Sequence, residues 1–286
     1  MKLHNRTIIV FFALVVLDLA VWGTIFAARP GVPAIYFLDV GQGDSELVVF
    51  PGNVKMITDA GPDQKIIKSL EGAIPGERYI DLAVVSHVQK DHFGGFNDVL
   101  KRYRIGAFIV NGRTDAEAEA EWSALMGEIE RQNIPLIVLG AGDAVRFGEA
   151  RVDILSPDKN WVQSGESNDT GLVEKITLPL LTALFTADAG FEIEKYLLAS
   201  GIDLRADILK VGHHGSKYSS SEEFLAAVRP AVAAIEVGKN TYGHPAPETL
   251  ARLARFAGNV FRTDRDGNIK IEIYGRKLKV LTERSE

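Results

Sequence analysis

Five of the six histidines of this 286-residue chain stand in three short motifs, and each motif directly follows an apolar run of strand length. Leu82–Val85 leads into Ser86-His87-Val88-Gln89-Lys90-Asp91-His92-Phe93-Gly94-Gly95. Ile208–Val211 leads into Gly212-His213-His214-Gly215-Ser216, and Ala233–Val237 leads into a segment ending Tyr242-Gly243-His244-Pro245. Side chains placed only for packing would show no such regularity. A fold that accepts this sequence must bring the ends of several buried strands to one edge, where loops project and sites gather.

The remaining pattern says which fold. Short apolar runs broken by Gly and Pro at 35–40, 46–50 and 54–59 read as antiparallel strands joined by tight turns. Beyond them strands and helices alternate. Helices are expected at 65–71, 96–103, 116–133, 193–200, 222–228 and 247–257. Strands are expected at 81–86, 107–110, 135–139, 152–156, 172–177, 183–187, 208–211, 232–236, 260–262, 269–274 and 277–281. Mixed elements in that order predict an α/β protein, two mixed sheets packed together with helices on their outer faces.

The first residues differ in kind. Lys2, His4 and Arg6 precede an apolar run from Ile8 to Ala28, interrupted by Asp18. About twenty residues at 1.5 Å rise match a hydrocarbon core of roughly 30 Å. The expectation is a transmembrane signal-anchor over 8–28, with 1–7 in the cytoplasm and the rest of the chain extracytoplasmic. The alternative is a signal peptide, cleaved after Phe26-Ala27-Ala28 to release the protein. Residues 29–34, with Pro30, Gly31 and Pro33, read as a linker, and 35–283 as one domain.

Composition narrows the chemistry. The chain has no cysteine, which removes thiolate ligands and nucleophiles and leaves His and Asp to bind a metal. A net charge of −6 is not that of a protein that coats nucleic acid, so any phosphate recognition must be local. Within residues 87–92 two histidines and an aspartate leave one strand, and Gly94-Gly95 lets the backbone bend afterwards. That density points to metal ligation. Asp188 ends another strand, where an isolated aspartate commonly serves as a turn residue or cap. Of the neighbours His213 and His214, whose side chains diverge, one is expected to reach the metal and the other to orient substrate or support the ligands.

Taken together these motifs resemble the metallo-β-lactamase superfamily, whose signature is H-x-H-x-D-H followed by a bridging Asp and a distal His. The resemblance is nearest to the hydrolase domain of ComEC-type competence (DNA-uptake) proteins. It runs from Phe37-Leu38-Asp39-Val40-Gly41-Gln42-Gly43-Asp44-Ser45 through Thr58-Asp59-Ala60-Gly61, the 81–95 segment, Ser167-Asn168-Asp169, Thr186-Ala187-Asp188 and the 206–216 segment. It ends with Gly238–Pro245 and Arg262-Thr263-Asp264. The resemblance implies a metallo-β-lactamase-like αββα sandwich. It implies Asp91, His92 and His213 around one divalent metal, Zn²⁺ or Mn²⁺, with Asp188 as the carboxylate that would bridge two and His87 in a companion site. Gln89 stands where the second histidine of the signature belongs, and no histidine occurs between His92 and His213, so one metal is expected. Ala187 replaces the Gly that typically precedes the bridging Asp, and Gly171 stands where relatives usually carry Ser. No segment of this sequence reads as the many-helix channel of these proteins, so DNA transport by this chain alone is not expected.

The functional expectation is a membrane-anchored, metal-dependent phosphodiesterase or nuclease acting on a phosphodiester such as DNA. Asp91 or Asp188 would accept the proton of an activated water or hold that water in line, and His214 and His244 would serve the phosphoryl or leaving oxygen. Asn168, Ser216, Lys217, Lys239 and Asn240 would contact phosphate. Asp39, Gln42, Asp44 and Asp59 are expected to support the site, Asp44 being the one that could also ligate. The alternatives are a hydrolase of another envelope phosphoester or ester, and a tethered binding module whose catalysis has decayed.

Overall fold

The computed structural model describes residues 12–18, 33–113, 120–158, 162–163, 166–275 and 277–284. The chain divides into two compact units, 1–31 and 32–286. In the first, residues 12–18 form a helix (α1) with the side chains of Phe12, Leu14, Val16 and Leu17 exposed. The rest of the span expected over 8–28 lies outside the described residues. Among the described residues no helix is long and apolar enough to cross a membrane.

The second unit holds two sheets. The first contains β1 (Ala34–Phe37), β2 (Glu46–Val49), β3 (Lys55–Thr58), β4 (Tyr79–Val85), β5 (Arg104–Val110), β6 (Leu136–Val138), β14 (Ile269–Tyr274) and β15 (Lys277–Thr282). Their spatial order is β15-β14-β1-β2-β3-β4-β5-β6. The second sheet contains β7 (Ala144–Phe147), β8 (Ala150–Ser156), β9 (Val173–Leu178), β10 (Leu181–Phe185), β11 (Ile208–Lys210), β12 (Val232–Ile235) and β13 (Asn259–Arg262). Its order is β13-β12-β11-β10-β9-β8-β7. Each sheet has an antiparallel half and a parallel half: β3 to β6 run parallel, as do β10 to β13.

Three apolar layers follow from the two-residue period of the strands. Ile35, Phe37, Val48, Met56 and Val84 from the first sheet meet Ile154, Ile176, Phe185, Ile208 and Val232 from the second. Phe37 and Phe185 touch edge to face across the gap at 5.8 Å. Residues of opposite parity, such as Leu47, Ile57, Ala83 and Phe108, face outward. They are covered by α2 (Lys65–Ala73), α4 (Phe96–Arg102) and α5 (Ala120–Arg131). The second sheet's outer face is covered by α6 (Phe191–Ala199), α7 (Glu222–Val228) and α8 (Pro247–Phe256). Each fully buried Phe, Leu or Ile contributes roughly 1.5–3 kcal/mol. This is the expected αββα sandwich.

Three elements were not foreseen. β7 is a half-exposed edge strand joined to β8 through Gly148. The single turns α3 (Lys90–Phe93) and α9 (Thr263–Asp266) are too short to carry a helical period. The helix expected over 116–133 is described from Ala120, its first residues lying outside the described set.

Candidate metal centre

Six loops meet at one edge of the sandwich, each leaving the end of a strand. Backbone hydrogen bonds lock them together: Asp44 N donates to Asp91 O, Ala60 N to His92 O, Gly61 N to Asp44 O and His213 N to Ala187 O. The approach is close enough to require glycine. A Cβ on Gly43 would stand 2.3 Å from Asp91 O, and one on Gly95 2.0 Å from Ala60 O. Asp59, Ala187, His213 and His214 all hold φ between 43° and 56°. For residues with a Cβ that left-handed backbone costs of order 1–3 kcal/mol each, and such strain concentrates at functional sites.

At the centre the Nε2 atoms of two buried imidazoles face two carboxylates. His92 Nε2 is 3.5 Å from Asp188 Oδ1. His214 Nε2 is 3.3 Å from Asp91 Oδ2 and 3.7 Å from Asp188 Oδ2. Both rings are fixed from behind. His92 Nδ1 lies 2.7 Å from Asp59 Oδ2, and His214 Nδ1 lies 3.0 Å from Glu236 O and 3.1 Å from Asp44 Oδ1. Asp59 is itself oriented by Ser86, whose N and Oγ both donate to it.

The site's electrostatics are those of a cage of negative charge. Burial alone would depress the His214 imidazole, but Asp188 and Asp44 outweigh it and lift it to about 10. Burial likewise opposes the charged form of His92, yet Asp188 and Asp59 hold it well above its usual value. Burial would raise Asp188, but His214, His92 and Lys210 hold it well below the carboxylate range. Asp91 is kept low by His214 and His92 against the same burial effect.

These residues fit a divalent cation. His92 Nε2 and Asp188 Oδ1 are buried without a hydrogen-bond partner and face one another. Donor atoms about 2.1 Å from a shared ion at tetrahedral angles stand roughly 3.4 Å apart, and the measured separations are 3.3–3.7 Å. Asp91, His92 and His214 form one group within ligating reach, and His87, His92 and Asp188 another. The expectation had assigned His213 to the metal and His214 to substrate. The structure instead brings His214 into the ligand group. His213 is half-buried at the rim, its Nε2 3.8 Å from Asp188 Oδ2 and 3.4 Å from Asn168 Nδ2. The two adjacent rings diverge, as their left-handed backbones require.

The companion side is stitched by side chains. His87 Nε2 lies 3.1 Å from Gln89 Oε1, Gln89 Nε2 donates to Asn168 Oδ1, and Asn168 Nδ2 approaches His213. Burial and the positive His92 push His87 down to about 4. Gln89 therefore binds its neighbours where a ligand of a second metal would project.

Of the expected substrate contacts, Asn168 lies in the site. Asn240 does not offer free atoms: it donates to Gly238 O and His244 O and accepts from Tyr242 N and His244 N, so it shapes the loop that carries His244. The His244 ring lies 5.6 Å from that of His213 and stacks on Tyr242. Burial and then the two neighbouring histidines lower its pKa. Ser216 is buried and accepts from Tyr218 N, while Lys217 and Lys239 are exposed, the former over the Tyr218 ring. Of the residues expected to support the site, Asp59 and Asp44 stand behind the His92 and His214 rings, whereas Asp39 and Gln42 make their bonds outside the ligand group. Asp39 pairs with Lys65 and Arg284, and Gln42 Oε1 accepts from Gly238 N.

Sequence reasoning missed a buried polar layer beneath the centre. Lys210, without exposure, binds the Asp44 carboxylate and donates to Ala187 O at 2.6 Å. Glu46 and Glu236 lie beside it, raised by burial and by their carboxylate neighbours, Glu236 to about 8. The available signal was a charged residue inside an apolar strand run.

Over residues 38–235 the sequence matches the metallo-beta-lactamase superfamily. It is 27% identical over 258 residues to ComE operon protein 3 of Bacillus subtilis (strain 168), covering 84% of this chain and 33% of that protein. It is 28% identical over 260 residues to Recombination protein 2 of Haemophilus influenzae (strain ATCC 51907 / DSM 11121 / KW20 / Rd), covering 87% of this chain and 30% of that protein. The chain thus spans about a third of the length of these curated relatives. Among solved structures the fold is similar to Tm1679, a metal-dependent hydrolase of the beta-lactamase superfamily. The TM-score is 0.54 at 14% identity, covering 84% of this chain and 99% of that one.

Proposed function

The chain belongs to the metallo-beta-lactamase superfamily, and from that premise we propose that it is a metal-dependent phosphodiesterase of the nuclease class. We place it on the extracytoplasmic side, tethered by its N-terminal apolar segment. The observation that carries the reading is the convergence of His92 Nε2, His214 Nε2, Asp91 and Asp188 at ligand spacing, with both Nδ1 atoms held from behind. The likeness to competence and recombination proteins supports the choice of substrate class.

A divalent cation at this point supplies Lewis acidity and lowers the pKa of a water toward neutrality. The donor set, two imidazoles and two carboxylates, suits Mn²⁺ as well as Zn²⁺. Asp91, partly exposed and held ionised, is placed to accept the proton of the attacking water. Asp59 and the Glu236 carbonyl fix the Nδ1 side of the two imidazoles, directing each Nε2 lone pair to the centre. His244 and His213, neutral near pH 7 and at the rim, offer hydrogen bonds to the phosphoryl and leaving oxygens. Asn168 holds His213 in place.

The test is bound metal and turnover of bis-p-nitrophenyl phosphate and single-stranded DNA by the purified chain with Mn²⁺ or Zn²⁺. Turnover of both, lost by at least a hundredfold in Asp91→Ala, is expected. Cleavage of the small ester without DNA would move the substrate to another envelope phosphoester. Metal uptake without turnover of any ester would leave a binding module and overturn the enzymatic reading.

A further inference from the structure

A polyanionic strand meets a difficulty at this centre. The whole chain carries a net charge of −6, and the centre itself is ringed by Asp44, Asp59, Asp91 and Asp188. Phosphodiester affinity rests on cations that displace condensed counterions, and a basic groove away from this acidic centre would add to it.

Such a place exists on the outer face of the first sheet, between α2 and the β14–β15 hairpin, in a groove of about 410 Å³. Lys65, Lys68, Lys270 and Arg284 line it against the two carboxylates Asp39 and Glu283. Both carboxylates are engaged within the wall. Asp39 accepts from Lys65 and Arg284 at 2.6 Å each, and Glu283 accepts from Asn268 N at 3.2 Å. Two donors remain: the exposed Lys68 ammonium and the Asn268 side-chain amide donate to no partner among the described residues. Tyr36 forms an aromatic wall under the Lys270 ammonium, 5.6 Å from the ring centre.

Contacts link the groove wall to the loop that carries His244. Lys65 Nζ lies against Gly41, where a Cβ would stand 3.8 Å from it. Gly41 is packed in turn on Gly238, so tightly that a Cβ on Gly238 would fall 2.3 Å from the Gly41 carbonyl carbon. Gly238 opens the loop that ends in His244 at the rim.

We propose that this groove is a second binding site, which takes the backbone phosphates of a single-stranded nucleic acid on Lys68 and the Asn268 amide, beside the Asp39-paired Lys65. The site deepens the phosphodiesterase reading and rests on it for the identity of the strand. Cations beside an aromatic wall are how sequence-independent single-strand grooves are built.

The test is fluorescence anisotropy of a labelled oligothymidylate with the full chain in EDTA, where cleavage is blocked, across a salt series. Lys68→Glu should weaken binding about tenfold at low salt and flatten the logarithmic salt dependence by about one unit. Lys68→Gln should fall between, and both variants should melt with the wild type, since Lys68 is exposed and unpaired. Equal affinity and equal salt dependence in Lys68→Glu and wild type would overturn the groove, as would no oligonucleotide binding by the wild type. Turnover of bis-p-nitrophenyl phosphate by the wild type reports separately on the metal centre. Lys68-dependent binding without that turnover would leave the groove standing and remove the chemistry.

Discussion

Metal binding should expel two protons from this protein, and their number identifies the ligands. In the metal-free protein His214 titrates at about 10 and His92 well above its usual value, because Asp188, Asp44 and Asp59 hold both imidazoles charged. A metal takes only the neutral ring. At pH 7.5 the proton on His214 is therefore displaced against about 2.5 pKa units, roughly 3 kcal/mol at 1.36 kcal/mol per unit. Each displaced proton makes the apparent affinity rise about tenfold per pH unit, so with two the slope approaches two near neutrality, and the His214 share fades as pH nears 10. The sign for the metal-free fold is opposite. A raised imidazole pKa contributes stability that is complete below about 6.5 and is lost as pH rises through the folded value. His213, lowered by burial, carries no proton to give. Titration calorimetry in buffers of differing ionisation enthalpy counts the protons. About two are expected at pH 7.5, falling to about one with strongly reduced affinity in His214→Ala, whereas His213→Ala should retain both count and affinity. Loss of metal in His213→Ala with retention in His214→Ala would refute the assignment of His214.

Three other substitutions probe departures from the superfamily pattern. Gln89→His should raise the bound metal from one ion toward two, because it replaces the amide that ties His87 to Asn168. Unchanged stoichiometry by elemental analysis would count against Gln89 as what closes the companion side. Gly171 and Ala187 are coupled, since a Cβ on Gly171 would stand 3.0 Å from the Ala187 methyl. Gly171→Ser alone should cost about 1–3 kcal/mol in urea unfolding. Added Ala187→Gly, which also relieves a φ of 43°, should restore most of that loss; strict additivity of the two changes would show the departures to be independent.

The alternation of strand runs and helical periods in the sequence was enough to determine the layered sandwich, because burial imposes a two-residue period on strands and a longer one on helices. The motifs were enough to mark the edge at which chemistry would occur, and the absence of cysteine restricted its ligands to imidazole and carboxylate. Only the folded chain decided between His213 and His214. Adjacent residues are equivalent in any linear pattern, and their roles separate through two left-handed backbone turns and the Glu236 carbonyl that anchors one ring. Asn240 read as a phosphate contact for a similar reason: its partners are in its own loop, and a residue type does not reveal whether its hydrogen bonds are already made. Asp44 lies 166 positions from Lys210 and its neighbour Ser45 191 from Glu236, yet they share one buried layer, because β11 and β12 lie side by side and the loop after β1 folds over them. The groove beside α2 is likewise invisible in the sequence: its cations come from positions 65, 68, 270 and 284, and only the pairing of β1 with β14 makes them neighbours.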